Sequence, residues 1–330
     1  MEILYKKEII LFFRISIAIF IIWYLFKSRM LTGDSFIRIF KISNLPLILL
    51  SAVIYFIVQI LLTERLVLLL KTVNFPLRFF KGFKLVMIGN FFNIVIPGMV
   101  GGDLVKGYYL LRSEENKKGQ SAGIVIMDRI CGLLALVFIG AVSFIYLLEQ
   151  NNAVLYPYRY ELYIVLLVIG SLFGSFFIFG RNQRFRLKMR ELFTAIFRKS
   201  FFYYVIEGFG ALLKNRPILI YSFLISILIQ LLSLAGLLIL GNIVSEALPD
   251  AITRTAVSSI VILFGIIPVT PGNMGWTELI ASFGWSAFGS NAGAEIFFYW
   301  RIVTVFCSLP GIVLYLINGQ EWTPAKNSGK

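Results

Sequence analysis

The stretch NIVIPGMVGGDLVKGYYLLR, residues 93–112, decides the fold. It lies in a chain of 330 residues that is 58% hydrophobic, with 32 Phe and only 17 acidic side chains. A soluble protein could not cover that much apolar surface, whereas a membrane protein has no need to. Yet here a Pro, four Gly and an Asp interrupt an apolar run where a membrane helix would be expected to continue. Backbone groups freed by such a break are tolerated at membrane depth only when buried in protein or lining a wet cavity.

Working outward, apolar runs at 9–26, 45–62, 122–148, 160–180, 217–242 and 294–317 each suit a hydrocarbon core of ~30 Å. No small-residue cleavage site follows the first run, so it reads as a retained helix and not a signal peptide. The stretch 181–216 holds nine Lys or Arg against two Glu and is placed in the cytoplasm. Its apolar residues recur at helical spacing, which predicts an amphipathic elbow along the membrane surface. Walking back from that anchor puts 149–159 outside and both 104–120 and 63–84 inside. The two flanks of 85–103 are then cytoplasmic, and ~16 apolar residues cannot cross twice at ~1.5 Å each. The segment is predicted to enter and return as a re-entrant hairpin, broken at Pro97 and Gly98. Residues 27–44 are assigned outside against the charge rule, since they carry Lys27, Arg29, Arg38 and Lys41.

A second break, GIIPVTPGNMGWTE at 265–278, echoes the first. Pro97, Gly98 and Gly101 align with Pro271, Gly272 and Gly275, and an acid follows each, Asp103 and Glu278. Arg129 lies 32 residues after Pro97, and Arg301 lies 30 after Pro271. Each half reads helix, helix, broken hairpin, helix, with the second hairpin at 257–289. Three crossings per half would invert the second against the first, a transporter pattern. The expectation is an all-α polytopic membrane protein: one integral domain over 1–330, about six full transmembrane helices and two re-entrant hairpins, eight hydrophobic segments in all. The pseudo-repeats are 1–150 and 151–320, with both termini cytoplasmic.

Composition excludes much chemistry. There is no His, which removes His-based acid–base catalysis, His metal sites and Ser-His-Asp hydrolysis. Cys131 and Cys307 sit in apolar helices as small hydrophobes, and no cofactor or metal site is expected. The net charge of +14 is assigned to orientation and to anionic headgroups, not to nucleic acid. GMVGGD lacks the Lys-Ser/Thr ending of a phosphate-binding loop.

Charge inside the bilayer costs at least ~2.5–3.5 kcal/mol per group, so Asp128, Arg129 and Arg301 each need a partner or a wet cavity. Asp128 and Arg129 are neighbours and point to different sides of their helix. The repeat pairs Asp103 with Arg129 and Glu278 with Arg301. Such pairs either pin hairpin to helix or hold a phosphate in transit, where the guanidinium fork favours Arg. Asn90 and Asn93 share a helical face leading to Pro97, and capping of the broken helix is favoured over lining a polar path. Gly101, Gly102, Gly272 and Gly275 are read as turn or close-approach positions.

With these residues in hand, the chain resembles the transmembrane flippase-like region of the lysylphosphatidylglycerol synthase family. The likeness rests on NFFNIVIPGMVGGDLVKGYYLLR, SAGIVIMDRICGLLAL, IIPVTPGNMGWTELI and FFYWRIVTVFCSLPGI. The family pattern maps to Pro97, Gly101, Gly102 and Asp103, then Asp128-Arg129, then Pro271, Gly272, Gly275 and Glu278, then Arg301 before Pro310-Gly311. Lys106 departs from it by standing where an Arg is usual. The resemblance implies a lipid flippase or scramblase in the cell (inner) membrane, acting on a phosphate-bearing or aminoacylated phospholipid, glycolipid or isoprenoid lipid. The implied partners are membrane lipids, anionic phospholipid above all, and a separate lipid-modifying enzyme. The chain ends 13 residues past the last apolar run, so no synthase domain and no aminoacyl transfer are expected. The predicted substrate-binding set is Arg129, Arg301, Asp103, Glu278, Asp128, Lys106, Asn90 and Asn93. Two alternatives remain: a membrane-embedded lipid-modifying enzyme using Asp103, Asp128 or Glu278, and an accessory subunit that anchors such an enzyme through 181–216.

Overall fold

The computed structural model describes residues 16, 19–25, 27, 32–95, 101–113, 118–181, 215–267 and 269–318. Pro97, Gly98, Arg29 and nearly all of the basic stretch 181–216 lie outside them. Among the described residues 11 helices follow in order, after helical residues within 16–27: α1 Gly33–Ile39, α2 Leu45–Lys71, α3 Phe79–Val95, α4 Gly101–Ser113, α5 Lys118–Glu149, α6 Arg159–Arg181, α7 Arg216–Leu240, α8 Ala251–Phe264, α9 Trp276–Ser286, α10 Gly293–Ser308 and α11 Pro310–Asn318.

Four of the described segments are long and apolar enough to cross a membrane: Ile42–Lys71, Gly123–Glu149, Arg216–Ile243 and Gly293–Ile317. Their outward surfaces are rich in exposed Leu, Ile, Val and aromatic side chains, as lipid contact requires. Pro46 stands at the start of α2 and Pro217 at the start of α7. There the missing N–H is no loss and the fixed φ favours the helix.

The helices meet in a definite pattern. α2 and α7 pack along one another, and the Ser51 hydroxyl donates across that seam to the Gly236 carbonyl at 3.0 Å. α3 and α4 form one antiparallel limb pair packed on α2 and α5; α8 and α9 form another packed on α5 and α10. Leu66, Leu69, Leu70, Leu85, Ile88, Leu110, Ile124 and Met127 build the core around the first pair. Val257, Val261, Ala281, Trp285, Ile296 and Phe297 build the core around the second. The last apolar run is interrupted at Leu309, between α10 and α11. A Cβ at Gly311 would run into the Met87 carbonyl of α3, so glycine there lets the run press on the first limb pair.

Three boundaries differ from those read in the sequence. α2 runs on to Lys71, so 63–84 is no loop; the turn is residues 72–78, with Asn74 at φ 54°. In the sequence the apolar run reads as ending just before its first charges, Glu64 and Arg65, but Arg65 is buried inside the protein. Likewise 104–113 belongs to α4, and Lys106 within it is 6% exposed, not a solvated loop lysine. The first limb pair therefore spans 79–113 and not 85–103. Asp250 starts α8 by accepting from the backbone N–H of Ile252 and Thr253 at 2.9 and 3.0 Å and from the Thr253 hydroxyl. Burial works against its charge, but these hydrogen bonds outweigh it and hold the carboxyl below its ordinary 3.8.

Arg38, assigned to an outside loop, stands in α1 and reaches Glu295 in the first turn of α10 at 3.4 Å. Glu295 also accepts from the Tyr299 hydroxyl.

Candidate functional site

The first limb pair is joined at a close helix crossing. A Cβ at Gly102 would collide with the Gly89 carbonyl, and one at Gly89 would stand 2.6 Å from Lys106 Cε. Glycine at both positions is what lets α3 and α4 touch backbone to backbone. The Gly102 N–H, an orphan donor at the start of α4, reaches the Asn93 Oδ1 at 2.7 Å. Asn93 therefore caps α4, the opposite limb, and not the helix it stands on. Asn90, three residues earlier, does not cap. Its amide donates to Gln59 Oε1 of α2, so the two asparagines have different tasks.

Asp103 lies in the first turn of α4, where the helix dipole favours an anion. Two cations converge on it. Lys106, one turn on, brings its Nζ to 3.5 Å from Oδ1, and Arg129 of α5 donates from Nε to Oδ2. The Arg129 side chain is 29% exposed and that of Asp103 is 16%. Among the described residues this is a carboxylate shared by two positive groups.

The second break is drawn more tightly. Residues 269–275 turn with Gly272, Asn273 and Gly275 at φ 56°, 55° and 79°. Asn273 donates to the Gly265 carbonyl, Thr270 donates to the Met274 carbonyl at 2.9 Å, and the Trp276 indole donates to the Phe264 carbonyl at 3.1 Å. Arg301 of α10 fills this turn. Its Nε donates to Glu278; Nη1 donates to the Gly272 carbonyl at 2.6 Å; Nη2 donates to the Asn273 carbonyl at 2.9 Å, to Thr277 at 2.5 Å and to the second Glu278 oxygen at 3.2 Å. Glu278 is 2% exposed. A guanidinium so engaged stitches α9, its preceding turn and α10 into one unit.

The two regions touch. A Cβ on Gly272 would stand 3.0 Å from the Ile94 carbonyl at the end of α3. Gly275 likewise lies against Ile21 and Ile22 of the N-terminal helical residues, and Ile21 and Leu25 pack with Ala294, Trp276 and Phe298.

Asp128 is not part of either cluster. It faces α2, where Arg65 Nε donates to its Oδ1 at 2.7 Å, while Arg65 Nη1 donates to the Ser226 hydroxyl of α7 at 2.8 Å. Of the predicted residues the structure thus groups Asp103, Lys106 and Arg129, groups Glu278 and Arg301 with Gly272, and sets Asp128 apart. Arg65, Gln59 and Ser226 were missed. The available signal was the need of Asp128 for a cation on the far side of its helix. Among the described residues there is no group of three potential metal ligands, and both Cys131 and Cys307 are free thiols.

The family model described as Lysylphosphatidylglycerol synthase TM region matches residues 11–311. The chain belongs to that family. It is a multi-pass membrane protein. It is also similar to the UPF0104 membrane protein MJ1595 of Methanocaldococcus jannaschii, 22% identical over 307 residues that cover 87% of this chain and 89% of the relative. No solved structure matches it.

Proposed function

We propose that this family member is a lipid translocase, carrying a phosphate-bearing lipid between leaflets with its headgroup at the first limb pair. The observation that carries the reading is the pairing of Lys106 and Arg129 on one carboxylate, Asp103. Among the described residues two cations meet on one acid, and a phosphodiester is the anion that a lysine and an arginine so placed would take in exchange for it. Membership of the Lysylphosphatidylglycerol synthase TM region family supports a lipid cargo.

The inverted repeat and the re-entrant form of both limb pairs belong to the same proposal. In support, helices with corresponding places in the two halves have corresponding neighbours: α2 lies on α7, α5 meets α8, and α10 and α11 meet α3. On this reading the two broken regions enter from opposite leaflets of the cell membrane, with cytoplasmic termini and the basic charge of 181–216 drawn to anionic lipid. The carboxylates Asp103 and Glu278 are each engaged by an arginine, which favours a carrier of lipid over an enzyme needing an unpaired acid or base.

The test is transbilayer movement of labelled phosphatidylglycerol and its lysyl derivative in proteoliposomes. The native chain should move at least one of them faster than protein-free vesicles, with its mass unchanged, and Arg129→Ala should abolish the gain. A change in lipid mass would favour the embedded-enzyme reading. Equal rates with and without protein for both lipids would count against translocation.

A further inference from the structure

In each half, the residue just before the hairpin-bound arginine turns toward that half's long second helix. In the second half it is Trp300, packed on α7 so closely that a Cβ at Gly236 would stand 2.7 Å from its ring. In the first half it is Asp128, paired with Arg65 of α2. The same helix crossing is thus built once from an aromatic ring on glycine and once from buried charge. Apolar packing suffices for the architecture, and a buried ion pair is seldom the more stabilising choice. The charge at the first crossing therefore calls for another reason.

The surroundings of Arg65 suggest one. Its side chain is 3% exposed. A guanidinium carries five N–H donors; among the described residues, two hydrogen bonds are made, one from Nε to Asp128 and one from Nη1 to Ser226. That contrasts with Arg301, whose five hydrogen bonds fill its turn. Gly132 lets the guanidinium lie directly on the α5 backbone, since a Cβ there would stand 3.2 Å from Nη1, and the Gln230 amide beside it donates to the Gly132 carbonyl at 3.0 Å. Buried hydroxyls cluster here too: Ser226 donates to the Ser222 carbonyl at 2.6 Å, and among the described residues the Ser222 hydroxyl is buried without a hydrogen-bond partner. A guanidinium with donors beyond those two bonds, beside buried hydroxyls, is a recognition set for a phosphate oxygen.

We propose that Arg65, with Ser226 and Ser222, is a second phosphate station on the cargo path, with Asp128 as its resting counter-ion. The inference rests on the translocase reading above. Arg129 and Asp128 are consecutive on α5, so the two stations lie on adjoining faces of one helix. A headgroup leaving Lys106 and Arg129 passes round α5 toward the seam of α2 and α7. There it displaces the Asp128 carboxylate from Arg65 in an exchange of one anion for another, without covalent change.

The experiment uses the full chain with the pair neutralised together, Arg65→Gln with Asp128→Asn, so that no buried charge is left alone. Two quantities are read: movement of labelled phosphatidylglycerol in proteoliposomes, and the rise in Tm of the detergent-solubilised protein on adding that lipid. The expected result is a Tm without lipid within a few degrees of native, a lipid-induced rise like the native one, and at least tenfold slower movement. Movement at the native rate would overturn the second station. Loss of folding, or of the lipid-induced rise together with movement, would assign Arg65 and Asp128 to structure and overturn it too. Inorganic phosphate alone is the source control: if it raises the native Tm and phosphatidylglycerol does not, the station serves a soluble anion and the lipid path is wrong. A native chain that moves no lipid would defeat the translocase reading itself, and this inference with it.

Discussion

The two broken regions are built from the same parts and finished differently. Each places an acid in the first turn of its second limb and an arginine on the following long helix. At the second, Glu278 is sealed and Arg301 spends its donors on the turn that carries Gly272 and Asn273. At the first, Asp103 is shared between Lys106 and Arg129 and stays partly exposed. The same motif serves as a lock in one half and, on our reading, as a port in the other. The added lysine makes the difference: among the described residues it gives Asp103 a second cation, where Glu278 has Arg301 alone.

Breaking the lock should have the largest effect on stability. Arg301→Ala leaves Glu278 buried with no counter-charge and frees two turn carbonyls, which should cost roughly 3–5 kcal/mol. A large fall in Tm in detergent is the check. Arg129→Gln should cost less, roughly 1–2 kcal/mol, because Asp103 keeps Lys106; its main effect should be loss of lipid movement. If Arg129→Gln destabilised as much as Arg301→Ala, both sites would be locks and the contrast would fail. Gly102→Ala drives a methyl group into the Gly89 carbonyl and should cost about 1–3 kcal/mol by forcing the limbs apart. Asn93→Ala removes the cross-limb cap and should cost about 1 kcal/mol. Asp250→Ala, far from both, should cost about the same at neutral pH by uncapping α8. Since the folded carboxyl sits below its ordinary value, that contribution holds above the carboxylate range and is lost as pH falls through the folded value. The difference between native and Asp250→Ala melting curves should therefore narrow in acid.

Much of this was legible in the sequence because membranes punish isolated charge. Two arginines inside apolar runs, each about thirty residues after a Pro-Gly break, required two acids, and Asp103 and Glu278 were in place to serve. Arg65 was hidden by the opposite habit, that of ending a membrane helix at its first charges. Only its partner on another helix shows that α2 continues through it. Asn93 was correctly tied to capping, but which helix it caps depends on the crossing of Gly89 with Gly102, and that is a tertiary fact. Lys106 looked like a loop cation because positive charge marks cytoplasmic loops; its burial follows from α4 running on to Ser113.

The most direct test of the contrast is lipid-induced stabilisation, since a ligand raises Tm only by binding the folded state. Phosphatidylglycerol would be titrated into the detergent-solubilised native chain and into the double variant Lys106→Gln with Arg129→Gln. The account predicts a clear rise in Tm for the native chain and little or none for the variant. An equal rise in both would mean that the first broken region does not hold the headgroup, and the distinction between lock and port would have to be abandoned.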